Sequence, residues 1–87
     1  MKPLTSREDG LANRARFNEL LSQYGLTQKS AAEMIAEQTS RPCALRTVRA
    51  WLNDEDSPSW RPCPQWAVLA LESKIVAAKL SKINKAA

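Results

Sequence analysis

The fold is decided by Gly25-Leu26-Thr27-Gln28-Lys29-Ser30-Ala31-Ala32-Glu33-Met34-Ile35, read together with Leu45-Arg46-Thr47-Val48-Arg49-Ala50-Trp51-Leu52. Gly25 ends a preceding helix, because glycine takes the left-handed conformation at little steric cost. Thr27 then offers a side-chain oxygen to the free amides of a new helix. That helix is predicted to run to about Glu37 or Gln38, with Ala31, Ala32 and Ile35 inward. The two alanines let another helix approach closely. The second segment puts Val48, Trp51 and Leu52 on one stripe of a helix over 44–53. Ala44, Leu45, Arg46, Arg49, Ala50 and Asn53 then face away from the core.

Working outward, Phe17, Leu20, Leu21 and Tyr24 recur at helical spacing, which predicts a helix over 13–24. Residues 1–12 read as a loose N-terminal arm. Within it, Thr5-Ser6-Arg7-Glu8 fits a capping box for a short turn, and Gly10 weakens any helix running through it. Residues 54–63 are a loop punctuated by Pro58 and Pro62. A last helix begins near Pro64 and extends to about Ile83, leaving residues 84–87 as a tail. Its apolar residues occupy two faces. Trp66, Leu69, Ala70, Val76, Ala77, Leu80 and Ile83 make the wider one, expected to seal the core. Val68, Leu71 and Ile75, with Ala78, make the narrower one. A helix in a monomer needs one stripe, so Val68, Leu71 and Ile75 are assigned to contact with an identical subunit, the other reading being a small core that wraps both faces within one chain. No alternating β-branched run appears. The expectation is an all-α bundle of four to five helices with a long C-terminal dimerisation helix.

The chain has 87 residues, enough for one small domain whose stability gains from oligomerisation. Thirteen basic against nine acidic residues give a net charge of +4, a balance that favours a polyanionic partner. The charge is unevenly placed. Arg41, Arg46 and Arg49 lie in an acid-free stretch, Asp54-Glu55-Asp56 follows directly, and Lys74, Lys79, Lys82 and Lys85 crowd the C-terminal end. Two cysteines and no histidine are too few for a structural zinc site. Cys43 and Cys63, in the duplicated tripeptide Arg-Pro-Cys, read as reduced, at least half-buried thiols of a cytoplasmic chain. The N-terminus has no apolar run of the secretory type. No segment has the ~20 apolar residues that span a membrane. No nucleophile–base set and no glycine-rich phosphate loop appears, so neither an enzyme, a cofactor nor a small-molecule ligand is expected.

A tight alanine-bearing helix followed by an arginine-bearing one is the pairing with which a helix-turn-helix presents a reading head to the major groove. Segments 25–33 and 46–52 resemble the phage-repressor type of this motif. Arg61-Pro62-Cys63-Pro64-Gln65-Trp66-Ala67-Val68-Leu69-Ala70-Leu71-Glu72 resembles the RPxPxxxxxALE continuation of the anti-CRISPR-associated regulators. The resemblance covers about Leu20 to Ile75. It implies a small homodimeric repressor, carried by a phage or mobile element, that binds an inverted repeat in double-stranded DNA and autoregulates an anti-CRISPR or other phage operon. The join at 38–43 is longer than the motif's usual three to four residues, contains Pro42 and lacks the usual glycine. Either the second helix is extended or the turn is an insertion.

On this reading Arg46, Arg49, Leu45, Ala50 and Asn53 are the base-contacting candidates. Arg46, near the helix N-terminus, has the planar fork that bonds guanine O6 and N7 together. Thr27, Gln28, Lys29, Arg41 and Thr47 are the phosphate candidates, the place of Gln28 being the family's own. Thr27 has an equal reading as a pure cap. A reading of another class is a protein-interaction or antitoxin-like module on the same scaffold.

Overall fold

The computed structural model describes residues 6–80. These form four helices and, among the described residues, no strand: α1 (Arg7–Tyr24), α2 (Gln28–Thr39), α3 (Leu45–Leu52) and α4 (Gln65–Ala77). Helix α4 packs on α1 and α2, and α3 packs on the same two.

The N-terminal arm is where the sequence reading fails first. Ser6 caps α1 by accepting a hydrogen bond from the Asp9 N–H at 3.0 Å, and the helix then runs unbroken for 18 residues. Thr5 and the rest of residues 1–5 lie outside the described residues. Glycine inside a helix costs about 1 kcal/mol against alanine. Gly10 is retained because α1 touches the α3–α4 loop there. A Cβ built on it meets Pro62 Cβ at 2.6 Å and Pro62 Cα at 2.7 Å. Gly25 ends α1 at φ 62°, and the Leu26 N–H reaches Leu21 O at 2.9 Å.

Thr27 caps α2 in a reciprocal pair. Its Oγ1 accepts from the Ser30 N–H at 3.0 Å, and Ser30 Oγ accepts from the Thr27 N–H at 3.1 Å. Helix α2 extends to Thr39, past its expected end, so the long join is in part extra helix. Ser40 then takes the left-handed conformation, φ 57°, that glycine usually fills. Residues 40–44 lead into α3, whose N-cap position, Ala44, provides no side-chain acceptor.

One core holds the four helices. Phe17 and Leu20, Ala31, Ala32 and Ile35, Val48 and Trp51, and Cys63 are buried with Ala67, Val68, Ala70, Leu71 and Ile75. The α4 assignment is therefore reversed for the large side chains, while Ala70 of the wider face is buried as expected. Val68, Leu71 and Ile75 are sealed inside their own chain and face no second subunit. Trp66, Leu69 and Val76 remain 41%, 51% and 76% exposed. The reason is closeness. Ala67 and Ala70 on α4 and Ala31 and Ala32 on α2 let the backbones approach, and that approach selects the face carrying the alanines over the bulkier one.

Helix α4 also stops at Ala77, short of the expected Ile83. Lys79 turns left-handed at φ 56°, its N–H bonding Val76 O at 3.0 Å while the Leu80 N–H bonds Ile75 O at 3.1 Å. This pair of bonds is a helix-closing motif that usually takes glycine. Ile75 is the last α4 residue with core to cover, and helices this short depend on such packing. Lys82, Ile83, Lys85 and the expected tail lie outside the described residues.

The Gly10 contact predicts that Gly10→Ala destabilises the protein despite alanine's helix preference. The atoms met are Pro62 Cα and Cβ, so the overpacking should reach the upper part of about 1–3 kcal/mol and exceed the roughly 1 kcal/mol gained, and each net 1 kcal/mol should lower Tm by about 4–8 °C in a thermal melt. A rise in Tm would show that Pro62 yields.

Candidate nucleic-acid interface

The site follows from how α3 is fixed. Val48 is fully buried and Trp51 is 6% exposed. The Trp51 ring meets Phe17 edge-on, with centroids 6.2 Å apart, and Trp66 at 5.8 Å. With that side anchored, a rotation of about 100° per residue brings Arg46, Arg49 and Asn53 onto one outer face. Arg46, Thr47 and Arg49 are exposed and Ala50 half-buried. Together with Asn53, Ser59 and Arg61 they line an open groove of about 480 Å³.

The remaining candidates lie elsewhere. Leu45 is half-buried beside the core-facing stripe and does not line the groove. Asn53 lines it, but its amide serves its own loop: Oδ1 accepts from the Asp54 N–H at 2.8 Å and Nδ2 donates to Ser57 Oγ at 3.3 Å. Thr27 is occupied as a cap, Gln28 is half-buried, and Lys29 and Arg41 are exposed outside the groove.

Ion pairing divides the cations. Arg7 pairs with Asp56 at 3.8 Å, Arg14 with Glu55 at 2.9 Å, Arg16 with Glu19 and Glu72, and Lys74 with Glu37 at 3.1 Å. All four of these cations stand on α1 or α4. Among the described residues, no carboxylate comes within 4.0 Å of Arg41, Arg46, Arg49 or Arg61. Exposed pairs add little stability. Their effect is on the field, since the arginines without a carboxylate partner among the described residues all fall within residues 41–61, where two of the three acids are paired with α1. Of the Asp54-Glu55-Asp56 run, α1 arginines hold two carboxylates, and the Asp56 side chain stays 88% exposed.

Arg61 and Ser59 are the groove residues that helix periodicity does not reach, because they stand on a loop. In the sequence Arg61 stands out only as part of the repeated Arg-Pro-Cys and of the RPxP stretch, neither of which places it beside α3. The cysteines of those tripeptides are free thiols. Burial raises the Cys43 thiol above its ordinary range and pushes Cys63 up to about 12. No known protein family, curated protein or solved structure matches the chain.

A thiol that resists ionisation resists alkylation. In the folded protein at pH 8, iodoacetamide should modify Cys43 well before Cys63, and denaturant should equalise the two in a mass-spectrometric time course. Folding favours the neutral Cys63 thiol, so its contribution to stability is intact below the ordinary value of 9.0 and is lost as pH rises towards about 12. Equal labelling of the folded protein would contradict the burial of Cys63.

Proposed function

We propose that this protein is a non-enzymatic, sequence-specific DNA-binding repressor of the cytoplasm. Helices α2 and α3 act as a helix-turn-helix, with α3 lying in the major groove. The observation that carries this reading is the outer face of α3, where Arg46 and Arg49 flank a groove and, among the described residues, have no carboxylate within 4.0 Å, while the acid-paired cations lie on α1 and α4. Arg46 reads a guanine. Arg49, one turn on, reads a base or holds a phosphate, and Ala50 meets a thymine methyl. Thr47, Gln28, Lys29 and Arg41 contact phosphates, and so do the amides at the start of α2, beside the capping Thr27. The resemblance to anti-CRISPR-associated regulators extends the proposal to autoregulation of a phage operon. A protein-binding use of α3 would call for an apolar outer face, and this one is basic.

The same proposal includes a homodimer on an inverted repeat, with the seam moved to the exposed side of α4. Trp66, Leu69 and Val76 fall within about 80° of one another there, and Leu80 continues the apolar surface. A second copy of the chain covers this stripe by two-fold symmetry and sets the two α3 helices roughly 34–36 Å apart, one DNA turn.

Selection from a randomised duplex library should enrich an inverted repeat bound by two chains. Enrichment of no sequence would sink the proposal. Arg46→Ala should weaken the selected duplex by roughly 1–3 kcal/mol and a scrambled one much less, measured by fluorescence anisotropy. Equal losses on both would make Arg46 a phosphate contact. Leu69→Glu should leave the fold intact by circular dichroism, yet lose most affinity for the repeat because its half-sites are no longer coupled. Two Leu69→Glu chains still bound together, by light scattering of the complex, would place the seam elsewhere.

A further inference from the structure

The loop between α3 and α4 supplies one wall of the groove, and it is firmly held. Arg14 donates from Nη1 to Asn53 O at 2.8 Å and from Nη2 to Glu55 Oε1 at 2.9 Å. Asn13 Nδ2 donates to Cys63 O at 2.8 Å. Arg7 stacks over the Trp60 ring at 5.6 Å. The Arg61 N–H bonds Ala50 O at 3.0 Å, which fastens the returning chain to the last turn of α3.

The Arg61 side chain is aimed by its own loop. Nη1 donates to Pro58 O at 3.1 Å and to Trp60 O at 2.8 Å. Nε and Nη2 are left without an acceptor among the described residues. A guanidinium fixed at one nitrogen and open along its other edge suits a phosphate, which takes two parallel N–H donors. Ser59 is exposed and lines the same groove, its N–H already taken by Ser57 Oγ at 3.2 Å. Arg61 stands beside α3, not on it. With α3 in a DNA groove, a side chain beside the helix meets the strand bordering that groove.

We propose, building on the DNA-binding reading above, that Arg61 is a phosphate clamp assisted by the Ser59 hydroxyl. It grips the sugar-phosphate strand next to α3 without reading the bases itself.

The test uses the full chain and two fluorescein-labelled duplexes of about 30 base pairs, one carrying the selected repeat and one scrambled. Affinities are measured from about 50 to 200 mM KCl. Arg61→Ala should weaken both duplexes by the same factor, about tenfold, and lower the salt slope by about one per bound chain. Arg61→Lys should restore the slope. Arg46→Ala should act on the repeat alone. Should Arg61→Ala also lower Tm, Ser59→Ala decides: the clamp requires a loss of about two- to threefold on both duplexes at unchanged Tm. Wild-type affinity and slope in Arg61→Ala, with Arg46→Ala still impaired, would overturn the clamp and leave the α3 reading standing. A loss confined to the repeat would make Arg61 a base reader and overturn the clamp too. A wild-type chain that binds neither duplex overturns the DNA reading beneath it.

Discussion

Everything on the outer face of α3 depends on how its inner face is held. Eight residues make little more than two turns, and a helix so short does not persist in water on its own. It has no side-chain cap at Ala44 to help it. What holds it is Val48 together with Trp51, whose indole sits between the rings of Phe17 and Trp66. Aromatic contacts of this edge-on kind add about 0.5–1.5 kcal/mol each beyond the area they bury. They also fix rotation, since a two-turn helix pinned by an indole between two rings has one azimuth available. The direction in which Arg46 and Arg49 point is a consequence of that packing.

The longest helix serves the groove from behind. Helix α1 reaches the α3–α4 loop at Gly10, Asn13 and Arg14, and its arginines occupy two carboxylates of the run that follows α3. Left beside the groove, those carboxylates would oppose its positive field. Exposed charges about 4 Å apart interact by roughly 1–4 kcal/mol, depending on the local dielectric. Drawing Glu55 and Asp56 towards Arg14 and Arg7 keeps the chain's own acids from occupying its free arginines. This links the α1 extension, unexpected from the sequence, to the electrostatics of a site built on other elements.

The parts legible in the sequence are those governed by local chemistry. Gly25, Thr27 and the small face of α2 specify a stop, a start and a contact, and each lies where its residues say. Val48 and Trp51 are legible because three-residue spacing on a short helix leaves one way to bury both. The start of α1, the face of α4 and the groove's second wall were not legible, and the causes share a form. Gly10 reads as a helix weakener until Pro62, 52 positions away, is seen against it. Trp66 and Leu69 read as core because they lie on the wider apolar face, but close approach between α2 and α4 favours the small Ala67 and Ala70 over them. Arg61 belongs to no periodic element, and its place comes from a backbone bond to Ala50. Long-range contact decides each case, and no local pattern encodes it.

The reversed face of α4 bears on how the proposed dimer would behave. Burying a large aliphatic side chain fully is worth about 1.5–3 kcal/mol, but Trp66, Leu69, Val76 and Leu80 are already partly covered. Four such residues from each chain, at roughly half that value, give on the order of 6–12 kcal/mol. Association costs about 4–15 kcal/mol in lost freedom. The two terms are of the same size, so the stripe by itself supports only a weak pair. DNA changes that balance on the proposed reading, because each chain brought to a half-site meets its partner at a high effective concentration. A seam of this strength would make pairing and operator binding a single coupled event, with the affinity for a full repeat far exceeding that for one half-site.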